Sequence, residues 1–236
     1  MRHALSPDDS SKSGAAVILT AVRTKSVRED WRMVPDAIYV EIEIRSPIER
    51  VWQLTQEPTQ HPRWDLRFSS ITPTAELSSG GYRFRYERRL PLHTITGTGT
   101  GTSLGERSRP DGTRTSALRF TTQDRLSPLG EGRGYWRYLP TPEGVTFVTG
   151  YDYEPGWGRL LDRLFLRRLF GWMTAWSFDR LRIWAETGVP PEKWPLASVL
   201  VFWRADRPRA SRCRRVPRRG HAMDNSPATL GTLEAP

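Results

Sequence analysis

A single cysteine, Cys213, stands in 236 residues. That excludes an intramolecular disulfide framework and any zinc site built from cysteine. Histidine is scarce too: His3, His61, His93 and His221 are the four, and His3 and His221 fall toward the ends of the chain. A multi-histidine metal centre therefore has too few ligands in reach, and no metal is expected. Long hydrophobic runs are missing; the best, residues 196–203, stops at eight, well short of the ~20 a membrane-spanning helix needs. No signal peptide is legible, because the apolar residues 15–19 are too few and follow Asp8 and Asp9. A cytoplasmic protein is the expectation. No Ser-His-Asp or Cys-His arrangement can be read, and nothing calls for a cofactor.

The aromatics are plentiful. Ten Trp, seven Tyr and eight Phe supply a core even though only 37% of residues are hydrophobic, which points to a folded middle with polar ends. The net charge of +10 divides into +2 for residues 1–35, +3 for 36–190 and +5 for 191–236. A middle at +3 argues against nucleic acid as a partner. Arginine outnumbers lysine 33 to 3, and eight arginines fall within residues 204–219. Such a stretch can attract nucleic acid or anionic lipid, but a biased, disordered terminus carrying a free surface thiol at Cys213 is the simpler expectation. The apolar run 196–203 has three places to dock: the domain, a second subunit or a membrane surface.

Residues 1–35 show no periodicity and read as a flexible arm. From Ile38 to Ile44 apolar residues alternate with Glu41 and Glu43, a half-buried strand with both glutamates toward water. Ser46, Pro47 and Glu49 mark a helix start, and Pro58 and Pro62 keep it short. From about residue 67 to 153, alternating runs are separated by turns at residues 79–81, 110–112 and 141–144. Short connections imply antiparallel neighbours, one face apolar and one wet. Between residues 157 and 187 there is no proline, and Leu161, Phe165, Leu169, Trp172, Trp176 and Ile183 form one stripe at helical spacing. Gly188, Pro190 and Pro191 then stop the helix. The expectation is an α+β fold spanning residues 36–190, with a proline- and arginine-rich tail at 191–236.

Residues 94–102, TITGTGTGT, look at first like a phosphate loop. They match neither G-x-G-x-x-G nor the Walker pattern. Their period is two, with His93, Ile95, Gly97, Gly99 and Gly101 on one face and threonines on the other. This is a strand. The glycines remove side chains from its inner face, allowing a sharp bend, close approach of the long helix, or a ligand space.

Residues 42–52, with Glu57-Pro58 and Pro62-Arg63-Trp64, resemble the SRPBCC (START-like) superfamily in its polyketide cyclase/dehydrase-like branch, with Glu57 where aspartate is commoner. The resemblance covers about residues 37–190. It implies the helix-grip fold, a curved antiparallel sheet wrapped around a long C-terminal helix, with a small hydrophobic or aromatic molecule bound between them. On that reading the ligand-facing candidates are Trp64, Tyr82, Tyr86, Gly97, Gly99, Phe120, Trp136, Tyr138, Tyr151, Trp172 and Trp176. So many buried Tyr and Trp polar groups need partners, which a wet or ligand-filled cavity would supply. His93, on the glycine face, is the candidate general base. Three functions follow: a carrier of a hydrophobic molecule, a cyclase or dehydratase on an aromatic substrate, or an interaction module led by the basic tail.

Overall fold

The computed structural model describes residues 37–78, 80–103 and 110–236; the arm read at residues 1–35 lies outside them. Strand β1 (Ile38–Ile44) is followed by helices α1 (Ile48–Gln56) and α2 (His61–Trp64). Six strands come next: β2 (Ser70–Leu77), β3 (Gly81–Arg89), β4 (Thr94–Ser103), β5 (Arg114–Thr121), β6 (Leu129–Thr141) and β7 (Gly144–Pro155). Each of these is antiparallel to the last, and the two helices carry the chain from β1 to the far edge, giving the order β1-β7-β6-β5-β4-β3-β2. Ser46 does not cap α1. Pro47 takes the N-cap position, and Glu49 accepts a hydrogen bond from Arg114 at 2.9 Å instead of turning back on the helix start.

The long helix is continuous but not uniform. It comprises α3 (Arg159–Leu161), a π-helical turn (Asp162–Leu166) and α4 (Arg167–Thr187). It starts after Gly158 and ends at Gly188, whose φ of 73° closes the last turn through a bond from its N–H to Trp184 O. The inner face differs from the expected stripe. Leu161 and Phe165 are exposed, while Asp162, Leu166, Phe170, Thr174, Phe178 and Leu181 are buried. The inward position at the π turn is polar: the Tyr153 hydroxyl donates to Asp162 at 2.5 Å, and Arg167 bridges Asp162 and Asp152 at 2.8 Å each. A count of apolar residues at regular spacing cannot register a core position held by charge.

At the centre, Phe147 of β7 stacks on Phe178 of α4 with ring centroids 4.6 Å apart. Trp64 of α2 meets both edge-on, at 6.4 and 6.0 Å, and its Nε1–H donates to Leu54 O. Ile38, Val40, Ile42 and Ile44 face the same core, as their alternation requires.

The C-terminal segment overturns the expectation of a free tail. Asp179, fully buried on α4, accepts from Arg182 Nε at 2.6 Å and from both the backbone N–H of Arg209 and the guanidinium of Arg212 at 2.7 Å. Cys213 is buried, its thiol donating to Ala175 O, and burial pushes that thiol well above its ordinary pKa. Arg214 exchanges two backbone hydrogen bonds of 2.9 Å with Glu41 and so protects the edge of β1. Farther along, Leu230 and Leu233 are buried, Thr100 Oγ1 donates to Glu234 O, and Tyr135 donates to Ala222 O. The outer face of the sheet is therefore partly covered rather than wet. The reason is that arginine-rich chain folds when its backbone N–H and guanidinium groups find a buried carboxylate, a route that shows no hydrophobic period.

Removing residues 205–236 would strip two of the three donors from Asp179, leaving Arg182 as its one cation, and take Ala210 and Cys213 out of the core. Breaking such a cluster costs about 3 kcal/mol or more, so the truncated chain should melt roughly 6 °C lower or more. An unchanged melting temperature would show that the segment contributes nothing.

Candidate functional site

α4 packs on β1 and against α1 and α2. Over β3, β4 and β5 the space is closed instead by α1, α2 and the segment after them, and a cavity of about 50 Å³ lies there. Its apolar wall comes from Phe68, Tyr82, Phe84, Leu118, Phe120 and Trp136, and its polar end from Thr55, Gln56, His61 and Ser116.

The glycines of TITGTGTGT explain the shape of this wall. In the β3–β4 register Tyr86 stands opposite Gly97, Phe84 opposite Gly99 and Tyr82 opposite Gly101. In the β5–β6 register Phe120 stands opposite Gly132. A Cβ at Gly97 would overlap the Tyr86 ring, one at Gly99 the Phe84 ring, and one at Gly132 the Phe120 ring. The rings therefore lie flat across the neighbouring strand. The glycines themselves leave no empty space, and the α4 helix does not press on them. Their effect is indirect: rings that lean over glycine do not stand up beneath the helices.

Of the sequence candidates, Tyr82, Phe120 and Trp136 line the cavity. Tyr86, Gly97 and Gly99 flank it on the same face, with the Tyr86 ring against Phe68. Tyr138 sits behind the polar end, its hydroxyl 2.7 Å from Thr55 Oγ1 and accepting from Gln56 at 2.8 Å. Trp64 is in the central core. Tyr151 bonds Thr174 beneath α4, and Trp172 stacks on Trp176 along that helix; these three do not line the cavity. The polar groups of the aromatics mostly have protein partners, since Tyr135, Tyr138, Tyr151, Tyr153 and Trp64 each bond to a residue of the chain. Trp176 Nε1 is an exception. A ligand is not needed to satisfy them, because helix carbonyls and hydroxyls lie opposite.

His93 is misplaced as a base. It lies in the turn before β4, its Nε2 2.7 Å from Asp124 Oδ2, with 38% of its side chain exposed. The turn, formed by paired bonds between Leu90 and His93, ends the strand alternation before its parity reaches the inner face.

The histidine on the cavity is His61, which periodicity could not single out on a four-residue helix. Its ring stacks on Trp64 and meets Trp136 and Phe68 edge-on at 4.8 and 5.0 Å. Burial holds its pKa below the ordinary 6.5, against the opposing pull of Asp65. Burial alone would raise the Asp65 carboxyl, but the Arg67 guanidinium and the His61 hydrogen bond outweigh it and hold the group well below the carboxylate range. An ionised Asp65 fixes the tautomer: Nε2–H donates to Asp65 Oδ2 at 3.1 Å, leaving the lone pair on Nδ1. The one legible signal was the i, i+4 spacing of His61 and Asp65.

Two consequences are measurable. The folded chain resists a proton at His61 that the unfolded chain accepts. Stability should therefore fall as pH drops below about 6.5, by up to about 1.4 kcal/mol per pH unit. Denaturant midpoints between neutral pH and the carboxylate range should show this slope, and His61→Gln should flatten it; an equal slope in the variant would sink the assignment.

Gly99→Ala should displace the Phe84 ring at a cost of about 1–3 kcal/mol. Gly97→Ala should cost more, because the backbone carbonyl of Thr121 stands 2.5 Å from the new Cβ and cannot swing away. Equal or negligible losses of denaturant midpoint would show that the rings do not rest on these residues.

Comparison with known proteins places most of the described chain in one family. The family described as "Polyketide cyclase / dehydrase and lipid transport" matches residues 35–186. A Bacillus subtilis relative, "Uncharacterized membrane protein YndG", is 39% identical over 169 residues, 70% of this chain; the match spans 62% of that relative's length. Among solved structures, the human StarD13 lipid transfer and protein localization domain superposes with a TM-score of 0.49 at 15% identity, covering 64% of this chain and 77% of its own. The di-domain aromatase/cyclase StfQ of the steffimycin pathway gives 0.48 at 14% identity, covering 64% and 51%. Among the described residues, no helix is long and apolar enough to cross a membrane.

Proposed function

The chain belongs to the polyketide cyclase/dehydrase and lipid-transport family, and from that premise we propose that it binds a small hydrophobic or aromatic molecule in the cavity between α1, α2 and strands β3–β6. The observation that carries this is the flat aromatic wall. Tyr82, Phe84 and Phe120 offer π-faces and CH edges to a planar or aliphatic guest, and Gln56, Ser116 and His61 form a polar end that would orient it.

At about 50 Å³ the cavity is far below the roughly 300 Å³ of an ordinary ligand pocket. A guest must therefore move side chains aside. The rings are the parts that can move, since a phenyl group lying on glycine is held by contact with backbone alone on that side. Tyr82, Leu118 and Phe120 are only partly buried, so their displacement costs less than opening the core around Trp64.

A second reading, the cyclase or dehydratase, is favoured by His61 and Asp65. Carbon–carbon ring closure needs a base to take a proton beside a carbonyl, and dehydration needs an acid to return it to the leaving hydroxyl. A neutral imidazole backed by an ionised carboxylate can serve both steps.

The test is titration with an environment-sensitive fluorescent dye, together with native mass spectrometry for a co-purified compound. Leu118→Trp, which fills the cavity, should weaken binding by at least about tenfold, equivalent to ~1.4 kcal/mol, without lowering the denaturant midpoint. Unchanged affinity would place the ligand elsewhere. In the same titration His61→Gln, which keeps a hydrogen-bonding group at the polar end, should weaken dye affinity far less than Leu118→Trp does. Loss of turnover without loss of binding would select the enzyme over the carrier.

A further inference from the structure

We propose that the end of the sheet at which the β3–β4, β5–β6 and β7–α3 connections meet is a docking face for an anionic lipid bilayer. The inference stands apart from the cavity, since none of its residues lines that space.

Antiparallel order places these three connections at one end. Hydrogen bonds tie them together: His93 of the first connection pairs with Asp124 of the second, and Gly156 N–H of the third donates to Pro128 O at 2.9 Å. Each connection exposes large apolar side chains. Leu92 is 99% exposed, Leu126 57%, Leu160 74% and Leu164 62%; Trp157 and Phe165 are exposed beside them. This is the apolar side of the helix start. The polar cluster of Asp162, Arg167, Asp152 and Tyr153 holds the inward positions, so the leucines and Phe165 face solvent.

The charges around these residues select the partner. Arg159, Arg163 and Arg168 are exposed on the same helical segment, and none of them makes an ion pair or hydrogen bond among the described residues. Arg125 is exposed in the β5–β6 connection. The acids at this end are mostly spent: Asp162 and Asp152 on Arg167, and Asp124 on His93. Among the described residues Glu154 is the exposed acid at the β7–α3 connection. A second copy of this chain meeting the face about a two-fold axis would bring like charges together. An end with leucine tips, a tryptophan and unpaired arginines fits a headgroup layer instead. The leucines enter the acyl boundary, Trp157 sits at headgroup level, and the arginines reach lipid phosphates.

The full chain should float with vesicles in which about one quarter of the phosphatidylcholine is replaced by phosphatidylglycerol, and much less with phosphatidylcholine alone. The double variant Leu160→Asn/Leu164→Asn alters only exposed side chains, so its melting temperature should be unchanged while vesicle affinity falls by at least about tenfold. Arg159→Gln/Arg163→Gln/Arg168→Gln should reduce the preference for the anionic vesicles. Full binding by the leucine variant would overturn the proposal, assigning the attraction to the arginines of residues 204–219 alone. Absence of flotation, or a concentration-dependent dimer that the leucine variant abolishes, would overturn it as well.

Discussion

The stacking of Phe147 on Phe178, 4.6 Å between ring centroids, is the contact on which the other features depend. It sets how far α4 stands from the sheet and brings Trp64, and with it α2, against both rings. Arg180 then locks the arrangement from the helix side, donating to Trp64 O and Pro191 O. Burial lowers the pKa of that guanidinium to about 10, so it stays a cation at neutral pH. Helix, sheet edge and α2 are thus a single packed unit, and the small aromatic-walled cavity lies to one side of it.

It lies over β3–β6, where cross-strand pairs of aromatic residue and glycine line the sheet with flat rings. This part of the molecule is built differently from the centre. The core near Trp64 interdigitates from three sides and resists change, as close-packed interiors do. The wall near Phe84 and Phe120 is a single layer resting on backbone. Stability is concentrated in one half of the sheet and adaptability in the other, a division suited to binding a guest without loosening the fold.

The C-terminal segment ties the two together. Its bonds to Asp179 fasten it to α4, its pairing with Glu41 closes the β1 edge, and its last residues cover Thr100 on the outer face of β4. Buried Asp179 is acceptable only because three donors reach it. An unpaired carboxylate there would cost more than the helix gains by burying its neighbours.

Local pattern was enough to read the strands, the helix-grip order and the two-residue period of TITGTGTGT, because strand alternation and helix stops act over a few residues and each leaves a repeat in the chain. The glycine face was legible by the same parity, but what covers it was not: the rings come from β3, and only the register Phe84 to Gly99 decides that they lie flat. His61 was hidden for a similar reason, since its cage draws on α2, β6 and the loop at Phe68. The inner face of the long helix was misread because Asp162 is buried by partners fifteen residues or fewer away that no hydrophobic period announces. The arginine-rich segment was misread because its order rests on a carboxylate thirty or more residues distant. Sequence alone determined where the chain could alternate, turn and stop. Tertiary structure decided which charges are buried, which glycines are covered and where space remains, because those outcomes depend on partners that meet only after the sheet has formed.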